Sequence, residues 1–291
     1  MAAPTFDLQA HSVCSDGELA PAAVVAAAAR AGVELLALTD HDTVEGVAEA
    51  REAARREGVR LVAATELSAV DPGHVDVHVL GYAIDERDEA FRVRLEDFRA
   101  DRERRVVRMV DALEALGFEV ARGEIDRRRA AGEPVGRPHV AQAVFEAAGN
   151  APRLREEGLG SASAVLEAYL VEGAPAFVGR THPTVSEAIG AIHGAGGLAV
   201  WAHPFWDVEA RAEAVATLDR FVAAGVDGVE AFYITHTREQ TLLLADAAAE
   251  RGLLTTGSAD FHGPSHPTFH AFRAFALFGR EPYLGGIARA S

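Results

Sequence analysis

Short apolar runs recur along this chain, each parted from the next by a helix-length segment, and they stop at histidines or carboxylates. Thr5-Phe6-Asp7-Leu8 leads into Gln9-Ala10-His11 and, five residues on, Asp16. The run 33–38 stops at Thr39-Asp40-His41-Asp42, and 59–64 stops just before Glu66. The run 75–79 carries His78, and 198–201 stops at Ala202-His203-Pro204. The run 226–232 precedes Tyr233 and His236, and Leu253-Leu254 leads through small residues to Asp260 and His262. Between the runs lie helical patterns. Pro21 stands where a helix starts, Gly32 where it ends, and Gly58 closes a second over 44–57. Further helices are expected over 186–195, 208–224 and 237–251. Alternating strand and helix implies parallel strands with helical crossovers, an α/β barrel whose strand carboxyl ends converge on one face.

The alternation breaks in the middle of the chain. Residues 86–117 form a long, arginine-heavy helical pattern, and more helix follows to about 172, broken at Gly132-Glu133-Pro134 and Asn150-Ala151-Pro152. No strand pattern interrupts it. The expected organisation is a barrel over 1–85 and 173–291 with an all-helical insertion over 86–172. The aromatic-rich stretch after Pro267 is expected to pack on the barrel.

Composition removes several kinds of chemistry. The net charge of −16 disfavours a broad surface for long nucleic acid, whose affinity comes from counterion release. All 28 basic residues are arginines, which excludes a Schiff-base lysine and the lysine of a phosphate-binding loop. The single cysteine, Cys14, excludes an internal disulfide and a cysteine-cluster zinc site. Residues 1–10 lack the pattern of a signal peptide, and no apolar run reaches the roughly 18–20 residues that span a bilayer. A cytoplasmic protein with no membrane partner is expected.

One histidine beside a strand is usually a hydrogen-bonded core or surface group, and His74, His182, His193, His266 and His270 are read that way. A succession of strand ends furnishing His11, Asp16, Asp40, His41, Glu66, His78, His203, Asp260 and His262 is different, because a barrel brings such ends together. Imidazole and carboxylate without thiolate suit Mn, Zn or Fe. So many donors exceed one ion with an open position, so two or three ions are implied, with Glu66 a candidate bridge. Clustered divalent ions convert bound water to hydroxide and clamp phosphoryl oxygens, which points to hydrolysis of a phosphate ester.

Four motifs carry a resemblance: Asp7-Leu8-Gln9-Ala10-His11 through Ser15-Asp16-Gly17, Thr39-Asp40-His41-Asp42-Thr43, Ala202-His203-Pro204, and Gly257-Ser258-Ala259-Asp260-Phe261-His262. Together they resemble the PHP (polymerase and histidinol phosphatase) superfamily, in its stand-alone bacterial phosphoesterase branch. Gly136-Arg137-Pro138-His139 in a helical insertion is similar to that branch too. The resemblance implies a distorted (β/α)7 barrel with two or three metals. It places position 9, His11, Glu66 and Asp260 on one ion, Glu66, His78 and His203 on a second, and Asp16, His41 and His262 on a third. Asp40 would hold the loop or a ligand imidazole from behind. The family pattern has histidine where this chain has Gln9, so Gln9 is a weak or absent ligand and the first ion is expected to be the labile one.

In the insertion, Arg99, Arg102, Arg104, Arg105 and Arg108 crowd one helix among acidic partners. Arg99 and Arg102, one turn apart, together with Arg137 and His139, are the candidates for gripping substrate phosphate. The implied activity is hydrolysis of a phosphomonoester of a small nucleotide, such as a 3′,5′-nucleoside bisphosphate. A histidinol-phosphate phosphatase and a 5′→3′ exonuclease on short RNA are the alternatives within the branch. A catalytically weak metal-binding regulatory domain is the alternative of another class.

Overall fold

A computed structural model describes residues 4–130 and 135–290; the break expected at Gly132-Glu133-Pro134 lies outside the described residues. Seven strands form one sheet in chain order: β1 (Phe6–Asp7), β2 (Leu35–Leu38), β3 (Arg60–Asp71), β4 (His74–Tyr82), β5 (Leu198–Trp201), β6 (Gly228–Tyr233) and β7 (Leu254–Ser258). Backbone bonds from Leu8 N to Gly257 O (3.2 Å) and from His11 N to Phe261 O (2.8 Å) join the last strand's end to the first. The sheet is thereby nearly closed, as expected for a distorted seven-stranded α/β barrel.

The strands are buried on both faces, which is why they read as continuous apolar runs. Along β2, Leu35 and Ala37 join Leu8, Val62, Ala64 and Leu80 in one cluster. Leu36 and Leu38 join Val24, Ala28, Ala50 and Ala54 in another. Those last four belong to helices α1 (Pro21–Arg30) and α2 (Val47–Glu57), the first opened by Pro21 and the second closed by Gly58 at φ 71°. Each such leucine contributes about 1.5–3 kcal/mol of burial.

One strand departs from the expected parallel arrangement. β4 runs antiparallel to both β3 and β5. Asp71 pairs with His74, leaving only Pro72 and Gly73 for the turn, whereas a parallel partner needs a crossover of about a dozen residues. The Asp-Pro-Gly turn between two apolar runs is the sequence signal for this hairpin. β3 also runs past Glu66 instead of stopping there. Glu66 sits inside the strand, level with the loop after β2, as its parallel bridge with His41 shows.

After β4 come α3 (Glu89–Ala115), α4 (Gly123–Ala130), α5 (Arg137–Glu146), α6 (Ala151–Glu156) and α7 (Ala162–Tyr169). The chain divides into two units, residues 1–96 with 183–291, and residues 97–182. Among its described residues the second unit contains no strand, and it has its own core, including Val110, Leu113, Phe118, Val140, Val144 and Val165. The barrel resumes with α8 (Val185–Gly194), which opens on a Thr184–Glu187 capping box. Helices α9 (Pro204–Asp207), α10 (Arg211–Ala224) and α11 (Arg238–Arg251) complete it.

The stretch after β7 is largely irregular but pinned. Phe272 stacks on Phe261 with ring centroids 4.2 Å apart, and Phe269, Phe275 and Ile287 are buried. Among the described residues no helix is long and apolar enough to cross a membrane.

Candidate metal centre

The loop after β1 is built to turn His11 and Asp16 towards each other. Ser12 donates to the Asp40 carboxylate through its backbone N–H and its hydroxyl, and Ser15 through its hydroxyl, each at 2.7 Å. Asp40 therefore holds this loop. Gly17 lies so close to the His11 carbonyl that a Cβ there would collide with backbone. That close return places Asp16 Oδ1 3.4 Å from His11 Nδ1.

Glu66 is the hub of what converges there. Its Oε1 lies 2.7 Å from His78 Nδ1 and 3.0 Å from His203 Nε2, and those two nitrogens are 3.2 Å apart. Its Oε2 lies 3.1 Å from His11 Nε2 and 3.7 Å from His41 Nδ1. Asp260 Oδ1 approaches His11 Nε2 to 3.1 Å. Asp16 closes the other side, at 3.5 Å from His41 Nε2 and 3.6 Å from His262 Nε2. His262 Nδ1–H donates to the Asp260 carbonyl at 2.8 Å, which orients the ring with Nε2 towards Asp16. The result is three interleaved donor groups: His11, Asp16, His41 and His262; His41, Glu66 and His78; His11, Glu66 and Asp260. His78 arrives because β4 is antiparallel. Its amino-terminal half meets the loops that end the parallel strands, and the Ala202 N–H donates to His78 O beside His203.

The backbone is strained at this point. Asp42, His203 and Asp260 adopt positive φ of 52°, 27° and 53°. Non-glycine residues hold such angles at a cost on the order of 1 kcal/mol or more each.

A cation fits the donor set. His11 Nε2, His41 Nδ1 and Asp260 Oδ1, which face the cluster, are buried yet make no hydrogen bond. Buried polar atoms are ordinarily satisfied, and lone pairs aimed at one small volume are what a metal ion satisfies. Charge is already polarised there. Burial opposes ionisation of Glu66, but the imidazoles of His41 and His78 outweigh it and hold its carboxyl well below the usual range. Burial likewise opposes a charged His11, and the carboxylates of Asp16, Asp260 and Glu66 outweigh it, holding the imidazole well above the usual range. His203 is pushed up to about 9 by Glu66 against its burial. His41 goes the other way, to about 4, because burial dominates.

Several residues around the centre carry no strand-end signal. Glu230, fully buried in β6, accepts the His203 backbone N–H at 3.0 Å and the Ser258 hydroxyl at 2.6 Å. Burial pushes its carboxyl up to about 8. Asp7, raised to about 7 by burial, accepts the backbone N–H groups of Ala259 and Arg273. Tyr233 donates its hydroxyl to Asp260 Oδ2 at 2.7 Å. Gln9 directs Nε2 to Glu66 Oε2 at 2.9 Å, and its Oε1 lies 3.3 Å from the Ser258 hydroxyl. As placed, Gln9 holds Glu66 and aims no lone pair at the donor cluster. Trp201 is core, fully buried, and Trp206 is 58% exposed.

In the helical unit, Arg99 and Arg102 lie on α3, and Arg137 opens α5. The His139 imidazole accepts the Gly136 N–H at 3.0 Å, a cap on α5. Of the neighbouring arginines, Arg104 approaches Asp101 to 3.4 Å and Arg105 donates to the Val178 carbonyl at 2.7 Å.

A nearly closed seven-stranded barrel with imidazoles and carboxylates gathered at its loop face defines a metal-site barrel protein. The family described as the PHP domain matches residues 7–128. A 3′,5′-nucleoside bisphosphate phosphatase of Chromobacterium violaceum is 34% identical over 263 residues, 89% of this chain and 87% of the relative. A 5′-3′ exoribonuclease of Haemophilus influenzae is 34% identical over 261 residues, 89% of this chain and 90% of the relative. Among solved structures, an amidohydrolase from Chromobacterium violaceum with bound sulfate and no metal superposes with a TM-score of 0.78 at 32% identity, covering 92% of this chain and 90% of the other. The chain belongs to the PHP superfamily.

Proposed function

We propose that this chain is a metal-dependent phosphoesterase that hydrolyses a phosphomonoester of a small nucleotide, such as a 3′,5′-nucleoside bisphosphate. The observation that carries the reading is Glu66, whose two oxygens face different donor groups, as a carboxylate shared between ions does. The proposed sets are His11, Glu66 and Asp260; Glu66, His78 and His203; and Asp16, His41 and His262. Mn, Zn or Fe ions held there would acidify a coordinated water and offset the charge on the phosphoryl oxygens. The chain's own residues do the rest. Tyr233 fixes Asp260, Asp40 fixes the loop of His11 and Asp16, and the Asp260 carbonyl fixes the tautomer of His262. The helical insertion, proposed over 86–172, would supply Arg99, Arg102, Arg137 and His139 as contacts to substrate phosphate.

Similarity to the bisphosphate phosphatase supports this choice of substrate. A second reading, a 5′→3′ exonuclease on short RNA, is favoured by equal identity to the exoribonuclease. The net charge of −16 weighs against long RNA. The test is a panel of nucleoside 3′,5′-bisphosphates, histidinol phosphate and 5′-phosphorylated oligoribonucleotides, assayed with Mn²⁺ or Zn²⁺. Release of inorganic phosphate from the bisphosphates, with a kcat/KM above that for every oligonucleotide, is the expected result. Preferential release of mononucleotides from oligonucleotides would move the reading to the exonuclease. No turnover of any compound would leave a metal-binding regulatory domain.

A further inference from the structure

Beside the donor cluster stands an aromatic ring that phosphate chemistry does not use. Trp206 lies three residues after His203 on α9 and is 58% exposed, while Trp201 is fully buried in the core. Scattered exposed apolar side chains are ordinary on protein surfaces. Two features set this one apart. Its indole is oriented: Nε1 donates to the Thr235 hydroxyl at 3.2 Å, and its backbone N–H donates to His203 O at 2.9 Å. It also stands beside the donor cluster. Its ring centroid lies 6.1 Å from that of His203 and 5.8 Å from that of Phe269, which in turn lies 5.4 Å from His262.

An exposed indole whose plane is held by a hydrogen bond, backed by a buried phenyl ring, loses little entropy when a flat ligand settles on it. The indole meets the His203 ring edge-on, so a base stacked on it would lie beside the donor cluster.

We propose that Trp206, backed by Phe269, is the stacking platform for the planar base of the substrate while its phosphate lies at the donor cluster. The phosphate end of this proposal rests on the phosphoesterase reading; the stacking end does not. Stacking tolerates any base, because every base presents a π-face, so the platform selects nucleotides over base-free phosphoesters and discriminates weakly among bases.

Two measurements test it. The first compares adenosine 3′,5′-bisphosphate with its base-free 1-deoxyribose analogue. The ratio of their kcat/KM values should fall about tenfold in Trp206→Ala and recover largely in Trp206→Phe, the loss expected for one stacked base. An unchanged ratio in Trp206→Ala overturns the platform. The second is free of catalysis: adenosine, which carries no phosphate, should quench the tryptophan fluorescence of the metal-free full-length chain, and Trp206→Phe should abolish the quenching. Quenching without turnover of any phosphoester would keep the platform and sink the phosphoesterase reading. Turnover of the bisphosphate with no quenching by adenosine would keep that reading and sink the platform.

Discussion

Replacing Glu230 by glutamine should relieve the chain of a cost that grows with pH. Glu230 is fully buried, and burial lifts its carboxyl from the ordinary 4.5 to about 8. Between those two values the folded chain holds a proton that the unfolded chain has released, so stability falls as pH rises. Below about 4.5 both states are protonated and nothing is lost; above about 8 both are ionised and the full cost is present. At about 1.4 kcal/mol per pH unit the ceiling is on the order of 3–5 kcal/mol.

Glutamine copies the protonated form. Its carbonyl can keep the His203 N–H, its amide can donate to Ser258, and Ser258 can turn its proton to Gln9 Oε1, 3.3 Å away. The assay is urea unfolding of the EDTA-treated chain, followed by circular dichroism at pH 5 and pH 9. At pH 5 the variant should lie within about 1 kcal/mol of the parent, because the exchange is isosteric and each hydrogen bond is kept. At pH 9 it should be more stable by about 3–5 kcal/mol. The same stability difference at both pH values would refute the reasoning.

A second carboxyl that burial raises, Asp7, tests the hydrogen bonds instead. Both oxygens of Asp7 accept backbone N–H groups, so Asp7→Asn turns an amide NH₂ against an N–H and should lose about 1–3 kcal/mol at about pH 4, where ionisation of Asp7 costs the parent little, by the same unfolding measurement. Equal stability of parent and variant would show that those bonds matter little. For Gln9→His, metal content per chain after dialysis against Mn²⁺ should rise, since an imidazole replaces an amide that now holds Glu66; equal, full occupancy of all three sites in both proteins would sink that idea. For Arg137→Ala, KM for the bisphosphate should rise about tenfold or more, the effect of losing one charge-assisted phosphate contact. Unchanged KM and kcat would remove the insertion from substrate binding.

The donors were legible because each stands next to a local event. His11, Asp40, His41, His203, Asp260 and His262 follow the end of an apolar run, and a barrel gathers such ends whatever its details. His78 reached the centre by another route. The sequence pattern suggested a parallel strand, but the Asp71-Pro72-Gly73 turn reverses it, and reversal is what brings the first half of β4 to the loop face. Glu66 is likewise inside β3, where burial on both sides hides the strand's true end. Glu230 was invisible for a related reason: it lies within Val229-Glu230-Ala231-Phe232, inside the apolar run 226–232 and not at its end. Its role depends on the register between β6 and β7, which no local signal specifies. The bond between Tyr233 and Asp260 depends on the same register.

These silent carboxyls explain how the centre keeps its shape. The three left-handed residues, Asp42, His203 and Asp260, either carry donors or adjoin one, and each backbone would relax if nothing held it. Asp42 is held by the Glu66 carbonyl and its own carboxylate, the other two by buried carboxyls nearby. The Asp42 N–H donates to the Glu66 carbonyl, while the Asp42 carboxylate accepts from Ser68 N. Glu230 takes the His203 N–H, and Asp7 takes the N–H of Ala259, next to Asp260. Once ionised, above about pH 8, the Glu230 carboxylate is an expensive clamp, but it accepts an N–H more strongly than a neutral group does. Because Glu230 clamps a backbone that carries a donor, Glu230→Gln trades clamp strength for stability. The variant that gains most at high pH is therefore also the one whose His203 should be held least firmly.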